Sequence, residues 1–169
     1  NWFRPADVCV APDGSIFISD WYDPGVGGHN QRDLDRGRLF RIAPVGHKYR
    51  PPKIDVSTVS GAIAALKNPA FSVRYLAFTA LQSGGASARA ALQQLADDSK
   101  ANPRHRARAL WVLGKSGTPA EAAAAAEGAM KARNADLRIV GLRLARQIEY
   151  DLVLAVSRLV EDPSPRVRR

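Results

Sequence analysis

The chain has 169 residues, of which 46% are apolar, and it is therefore long enough to bury a core of its own. It contains no run of about eighteen apolar residues, so we expect no membrane-spanning helix, and its single cysteine, Cys9, excludes an internal disulfide and every multi-cysteine haem or zinc motif. The net charge is +9, of which +8 falls on residues 56–169, and such a basic segment can attract nucleic acid or an acidic partner.

Residues 1–43 have the pattern of β structure. Apolar residues alternate with polar or small ones, and residues 11–14 have the composition of a turn. Strands are indicated around Val8 and Val10, at 15–20 and at 38–42. The sequence therefore predicts a short antiparallel β segment at the N-terminal end.

A polar loop of about seventeen residues separates the second and third of these strands, and loops of that length are often functional. Carboxylates, an imidazole and an amide on one loop could coordinate Ca²⁺ or bind a polyol, although their order fits no EF-hand. The same residues also suit a turn-rich loop held by hydrogen bonds to its own backbone, which needs no ligand. The candidate ligand residues are Asp20, Asp23, His29, Asn30, Asp33 and Asp35.

Residues 44–56 contain three prolines and several basic residues, and this composition predicts a linker. From residue 57 to residue 169 the sequence is helical and repeats with a period near 32 residues, as helical solenoids do. The repeat aligns an arginine column, Arg74, Arg106 and Arg138, and a small-residue column, Ala77, Ala109 and Gly141. We assign both columns a structural role, since small residues allow neighbouring helices to approach closely.

Helix caps precede each copy of the second helix of the repeat, because Asn or Ser can accept the free N–H bonds of a first turn. The predicted caps are Asn68, Asn102, Asn134 and Ser164. The first helices carry apolar stripes, and in the last of them the predicted core stripe is Leu152, Val153, Val156, Leu159 and Val160. The pattern predicts three helix pairs and the start of a fourth, with a plain helical bundle as the alternative.

The strand residues carry a resemblance to a known family. The runs 5–8, 11–23, 28–30 and 37–42 look like the closing blade of a β-propeller. Together with the helical repeats they resemble the large exported proteins of planctomycetes and verrucomicrobia called membrane-bound dehydrogenases, which join a propeller to HEAT repeats and a cytochrome-c-like domain. The resemblance implies a partial propeller blade at 1–43, the linker at 44–56 and a HEAT-like α–α superhelix at 57–169, in a mainly α chain.

One cluster of basic residues beside an aromatic side chain is a candidate binding patch for phosphates or an acidic loop. This basic patch consists of Arg104, His105, Arg108 and Trp111. Its neighbour Arg106 belongs to the arginine column, and for that column the resemblance implies pairing with acids or carbonyls of adjacent repeats. Arg108 stands level with Leu76 and Val140, and the sequence offers no reason for a cation there.

The leading hypothesis for function is a non-catalytic HEAT-like scaffold that binds proteins or neighbouring domains of the same chain, within a larger dehydrogenase-like protein. One alternative is a fragment that completes the propeller of a quinone-dependent sugar dehydrogenase, and a second is a basic solenoid that binds nucleic acid. We expect no catalytic residue, metal or cofactor in this fragment, while the resemblance implies quinone, Ca²⁺ or haem c for a longer parent protein. We expect a monomer with little affinity for nucleic acid, because acids are interspersed among the cations. From their composition we expect no leader in the opening residues, and the resemblance implies a location outside the cytoplasm.

Overall fold

A computed structural model describes residues 3–21 and 36–169 of the chain. Within these residues the three strands are β1 (Pro5–Val10), β2 (Ile16–Asp20) and β3 (Arg38–Ile42). The helices are α1 (Val59–Leu66), α2 (Phe71–Ser83), α3 (Gly85–Asp97), α4 (Pro103–Ser116), α5 (Pro119–Met130), α6 (Ala135–Gln147), α7 (Leu152–Ser157) and α8 (Pro165–Arg168). The prediction of a mainly helical chain with a short antiparallel sheet at its N-terminal end is confirmed.

The chain forms two compact units. The sheet unit comprises the residues up to Ile54 together with Asn68–Arg74, and the helical unit comprises Asp55–Lys67 and Tyr75–Arg169. Helix α2 therefore starts in the sheet unit and continues in the helical unit.

The sheet has the order β1-β2-β3, and both pairs of strands are antiparallel. A tight turn joins β1 to β2, with the Gly14 amide donating to the Ala11 carbonyl at 2.9 Å. Gly14 has a φ of 87°, a conformation that glycine adopts without steric cost. The predicted Ala-Pro-Asp-Gly turn therefore connects the two strands directly.

Asp13, in the turn between β1 and β2, binds residues that lie at and beyond the end of β3. Its carboxylate accepts the Ser15 hydroxyl at 2.6 Å and lies 3.3 Å from the Arg41 guanidinium and 3.1 Å from His47 Nε2. Burial raises the pKa of Asp13, but the hydrogen bonds from Ser15 and His47 and the charge of Arg41 outweigh burial and hold that pKa well below its ordinary value. Residues of the predicted linker thus bind back to the sheet.

The two faces of the sheet differ in what covers them. On one face the Phe17 ring meets the Tyr49 ring edge-on at 6.0 Å. The other face consists of two cross-strand rows of apolar side chains, most of them exposed. These rows are Val8, Ile18 and Phe40, and Val10, Ile16 and Ile42. The second face therefore presents apolar surface to solvent.

The helical unit is built from stacked helix pairs. Helix α3 packs on α4 and α5 packs on α6, while α4 also packs on α6 and α6 on α8. Successive second helices are thus in contact with one another, which is how α-solenoids extend. The core follows the repeat, since Ala77, Ala109 and Gly141 are all buried. A Cβ on Gly141 would lie 2.7 Å from the Met130 nitrogen, so glycine permits the close approach of α6 to α5.

Two predictions at the last repeat are wrong. Of the predicted stripe, Leu159 is buried as expected, but Leu152, Val153, Val156 and Val160 are exposed, and Ala155, which was not predicted, is buried instead. Every residue from 152 to 156 is apolar, so the pattern cannot select a face, and the small Ala155 is the residue that fits against its neighbours. The Ser164 side chain makes no cap hydrogen bond. Instead the Ser164 amide donates to Asp162 Oδ1 at 2.8 Å.

Candidate functional site

The arginine column binds backbone carbonyl groups close to the turn before each second helix. Arg74 donates to the carbonyls of Asn68 and Pro69, and Arg106 donates to the Ala96 carbonyl at 2.7 Å. Arg138 donates to the Ala132 and Arg133 carbonyls, each at 2.9 Å. Carbonyls at the end of a helix lack partners within the helix, so these guanidinium groups stabilise the turns.

Arg138 also forms an ion pair, with Asp162 of the fourth repeat. Its Nε lies 2.6 Å from Asp162 Oδ2 and a terminal nitrogen lies 2.8 Å from Oδ1, in a bidentate geometry. Both side chains are largely buried. The hydrogen bond from Arg138 lowers the pKa of Asp162, and the Ser164 amide and the charge of Arg168 act in the same direction. This ion pair stabilises the packing of the fourth repeat against the third.

The basic patch is not assembled as one surface. Arg108 donates to the Leu66 carbonyl at 3.0 Å, and His105 hydrogen-bonds the backbone of Lys67. Burial lowers the pKa of His105, as do the charges of Arg108 and Lys67. These two side chains therefore bind the C-terminal end of α1, which explains the cation at position 108. Arg104 is exposed, and Trp111 contributes to a separate groove.

Of the candidate ligand loop, only Asp20 lies within the described residues. Its buried carboxylate accepts the Arg4 amide at 2.7 Å and Arg38 Nε at 2.8 Å. The hydrogen bond from the Arg4 amide lowers the pKa of Asp20, and the Arg38 hydrogen bond and charge add to that effect. Asp20, at the end of β2, thus links the residue before β1 to the start of β3. The other candidates, Asp23, His29, Asn30, Asp33 and Asp35, lie outside the described residues.

One concave surface of the helical unit is a groove of about 850 Å³ between α4, α6, α7 and the last residues of the sequence, in α8 and at Arg169. Helix α6 contributes two cations one turn apart, and α7 contributes apolar side chains. The residues on which its chemistry depends are Trp111, Arg143, Arg146, Leu152, Val156 and Val160. Leu142 and Leu159 add further apolar surface to the groove.

The groove is both apolar and strongly basic. Leu152, Val156 and Val160 are exposed by 42%, 55% and 61%. Arg143 and Arg146 are exposed as well, and no acidic residue is among those described as lining the groove. Sequence reasoning missed this site because it assigned the α7 side chains to the core. The signal available in the sequence was the run of apolar residues at 152–156, which follows the two arginines Arg143 and Arg146 of α6.

None of the described helices is both long and apolar enough to cross a bilayer. Across residues 3–21 and 36–169, no three His, Cys, Asp or Glu side chains gather closely enough to hold a metal ion. The described lining of the groove consists mainly of arginines and apolar side chains.

Comparison with known proteins identifies the repeat. Residues 59–144, from the start of α1 into α6, match the family model of HEAT repeats. No curated protein and no solved structure matches the chain significantly. The matched residues make up half of the chain and carry the stacked pairs and the small-residue column described above. On this match and this architecture, the chain belongs to the HEAT-repeat family.

Proposed function

We propose that the chain is a non-catalytic scaffold that binds a protein, or a neighbouring domain of a longer protein, through the surface of its stacked helical repeats. The observation that carries this proposal is the stack of helix pairs from α3 to α6, in which successive second helices contact one another. Membership of the HEAT-repeat family supports it, since stacked helical repeats typically present extended surfaces for protein binding.

Selection from a displayed peptide library tests the proposal. We expect the immobilised 169-residue chain to enrich peptides that bind it saturably in solution, measured by fluorescence anisotropy. The enriched peptides should compete with one another for one surface of the helical unit. If no library yields a saturable binder, the proposal of a protein-binding scaffold is wrong.

We propose further that the sheet unit is one blade of a larger β-propeller, as the sequence resemblance implies. The exposed apolar face of the sheet supports this second proposal, because a three-stranded sheet needs a packed face to persist. An enzyme site of that kind is assembled from several blades. The purified chain should therefore reduce no quinone-coupled dye with any sugar substrate, and measurable dye reduction would contradict the non-catalytic assignment.

A further inference from the structure

We propose that the outer face of α4 binds an acidic segment of a protein partner, an inference that rests on the proposed scaffold function. The outer face of α4 is the row Arg104, Arg108, Trp111 and Lys115. Carboxylates of the partner would pair with the cations of this row, and an apolar side chain would cover the exposed part of Trp111. Helix α4 belongs to the second helix pair, and complete helices precede and follow it along the chain.

The four residues share one side of α4 because of their spacing. They lie at i, i+4, i+7 and i+11, and residues with these spacings fall on the same side of a helix, over a rise of about 16.5 Å. Arg104 and Lys115 are exposed and Trp111 is partly exposed, whereas His105 of the predicted basic patch lies off this face. The opposite side of the helix is buried and consists of Ala109, Leu110, Val112 and Leu113.

The charge of α4 is strongly positive. The helix contains four Lys or Arg and no Asp or Glu. Neither Arg104 nor Lys115 makes a side-chain hydrogen bond or ion pair within the described part of the chain. Burial lowers the pKa of His105, and the charges of Arg108 and Lys67 lower that pKa further, so the positive potential extends to the end of α1. Such a surface complements a partner with carboxylates.

Arg104 does not stabilise the helix to which it belongs. It lies in the first turn of α4, at the positive end of the helix dipole, where a cation is unfavourable. Helices α5 and α6 instead have an acid in the first turn, Glu121 and Asp136. Because the fold does not require Arg104, its exposure on the same side as Lys115 favours a role in recognition.

A protein segment fits this surface better than a nucleic acid does. Helix α6 packs beside α4, and one period after Arg104 it carries Asp136, whose side chain is 57% exposed. A phosphate backbone is charged at every nucleotide, so it would be repelled at Asp136. Ile139 and Val140 of α6 are partly exposed as well, and phosphates make no use of apolar surface. A peptide can combine carboxylates opposite α4 with apolar side chains opposite α6.

The test uses the full 169-residue chain and a displayed library of random short peptides, with the Kd of enriched peptides measured by fluorescence anisotropy. We expect these peptides to contain several Asp or Glu and at least one large apolar side chain. Their Kd should weaken by about tenfold with Arg104→Glu plus Lys115→Glu, and added salt should weaken binding to the wild-type chain. Lys48→Glu plus Lys53→Glu is the control and should leave the Kd nearly unchanged, because it makes the same change of net charge at exposed sites outside the helical unit.

The fluorescence of Trp111 reports whether the peptide lies on the outer face of α4. The chain has three tryptophans, and replacing Trp2 and Trp21 by phenylalanine leaves Trp111 as the single emitting indole. We expect a bound peptide to shift the Trp111 emission to shorter wavelength, because apolar contact removes water from the indole. Emission that stays unchanged at saturating peptide would place the binding surface elsewhere and overturn the inference.

Three further outcomes would also overturn the inference while leaving the scaffold function intact. Equal Kd values for the wild-type chain and Arg104→Glu plus Lys115→Glu would exclude these cations from the interface. Enrichment of peptides without Asp or Glu would contradict the charge complementarity. A DNA duplex that displaces the peptides at near-physiological salt would assign this face to nucleic acid. Failure to enrich any peptide would instead contradict the proposed function itself.

Circular dichroism and thermal melting establish that each variant is folded before its binding is measured. If the glutamate variant is unfolded, Arg104→Gln plus Lys115→Gln removes the same two charges without introducing negative charge. The expected result is again a weaker Kd for the acidic peptides. An unchanged Kd with that folded variant would overturn the inference.

Discussion

At the scale of single residues, Gly141 lies where the backbone of the neighbouring helix α5 leaves no room for a side chain. An added Cβ would lie 2.7 Å from the Met130 nitrogen and 2.9 Å from the Ala126 carbonyl oxygen, and backbone atoms cannot move aside as a flexible side chain can. We expect Gly141→Ala to destabilise the chain by about 1–3 kcal/mol through overpacking, although alanine is the better helix former. Urea unfolding measures the change. The matched control is Gly128→Ala in α5, where nothing lies within 4 Å, and there alanine should stabilise by about 1 kcal/mol or less. Equal effects at the two glycines would contradict the close approach of α6 to α5.

Asp162 is the second residue whose environment leads to a prediction. Its pKa is lowered in the folded chain, chiefly by the hydrogen bond from Arg138. A lowered pKa contributes stability above the unfolded-state value, and that contribution is lost as pH falls from about 3.8 through the folded-state pKa. Asp162→Asn should therefore lower the Tm at neutral pH, and the difference from wild type should shrink as the pH falls below that value.

Thermal melts at a series of pH values measure this difference. Asp136→Asn is the control, because the Asp136–Arg166 pair is exposed, at 57% and 70%, and exposed pairs contribute little. A gap between wild type and Asp162→Asn that stays constant down to strongly acidic pH would contradict the role of the ion pair.

At the scale of elements, the helix termini distinguish the third repeat from the fourth. Helix α5 begins with a complete capping box, in which Thr118 Oγ1 accepts the Glu121 amide at 3.3 Å and Glu121 Oε2 accepts the Thr118 amide at 2.7 Å. Thr118→Ala should cost about 1 kcal/mol of stability, as loss of an N-cap usually does. Ser164→Ala should have a much smaller effect on the free energy of unfolding, since the Ser164 side chain makes no cap bond. Chemical denaturation of both variants checks the contrast, and a larger loss at Ser164 would show that the turn before α8 depends on the serine.

At the scale of the whole molecule, stability should be concentrated in the helical unit. Its helices contact sequential and next-nearest neighbours, and contacts in a solenoid run between adjacent repeats. A chain lacking residues 1–43 should therefore remain helical and melt cooperatively, as measured by circular dichroism. A broad, non-cooperative melt of the truncated chain would show that the helical unit needs the first 43 residues.

Much of the architecture could be predicted because local rules determine it. The three strands follow from apolar alternation and a turn sequence, and the capped helix starts at Asn102 and Asn134 follow from side chains that accept amide hydrogen bonds within their own first turns. Buried positions in the repeat were predictable for the same reason, since the period of the helix places them on one face. The groove could not be predicted in this way. In α7 every residue from 152 to 156 is apolar, so the local pattern does not indicate which side of this short helix is buried.

By itself, the sequence determined the helical repeat, its small-residue column and the antiparallel sheet, because each depends on residues close together in the chain or spaced by one period. Only the tertiary structure decided the roles of residues that act over longer separations. Arg108 binds the carbonyl of Leu66 from a position 42 residues away, and Asp162 pairs with Arg138 from 24 residues away. The burial of Ala155 rather than its larger neighbours also depends on packing between helices. Such contacts are set by the distances between helices that fold together, and no local spacing in the chain encodes those distances.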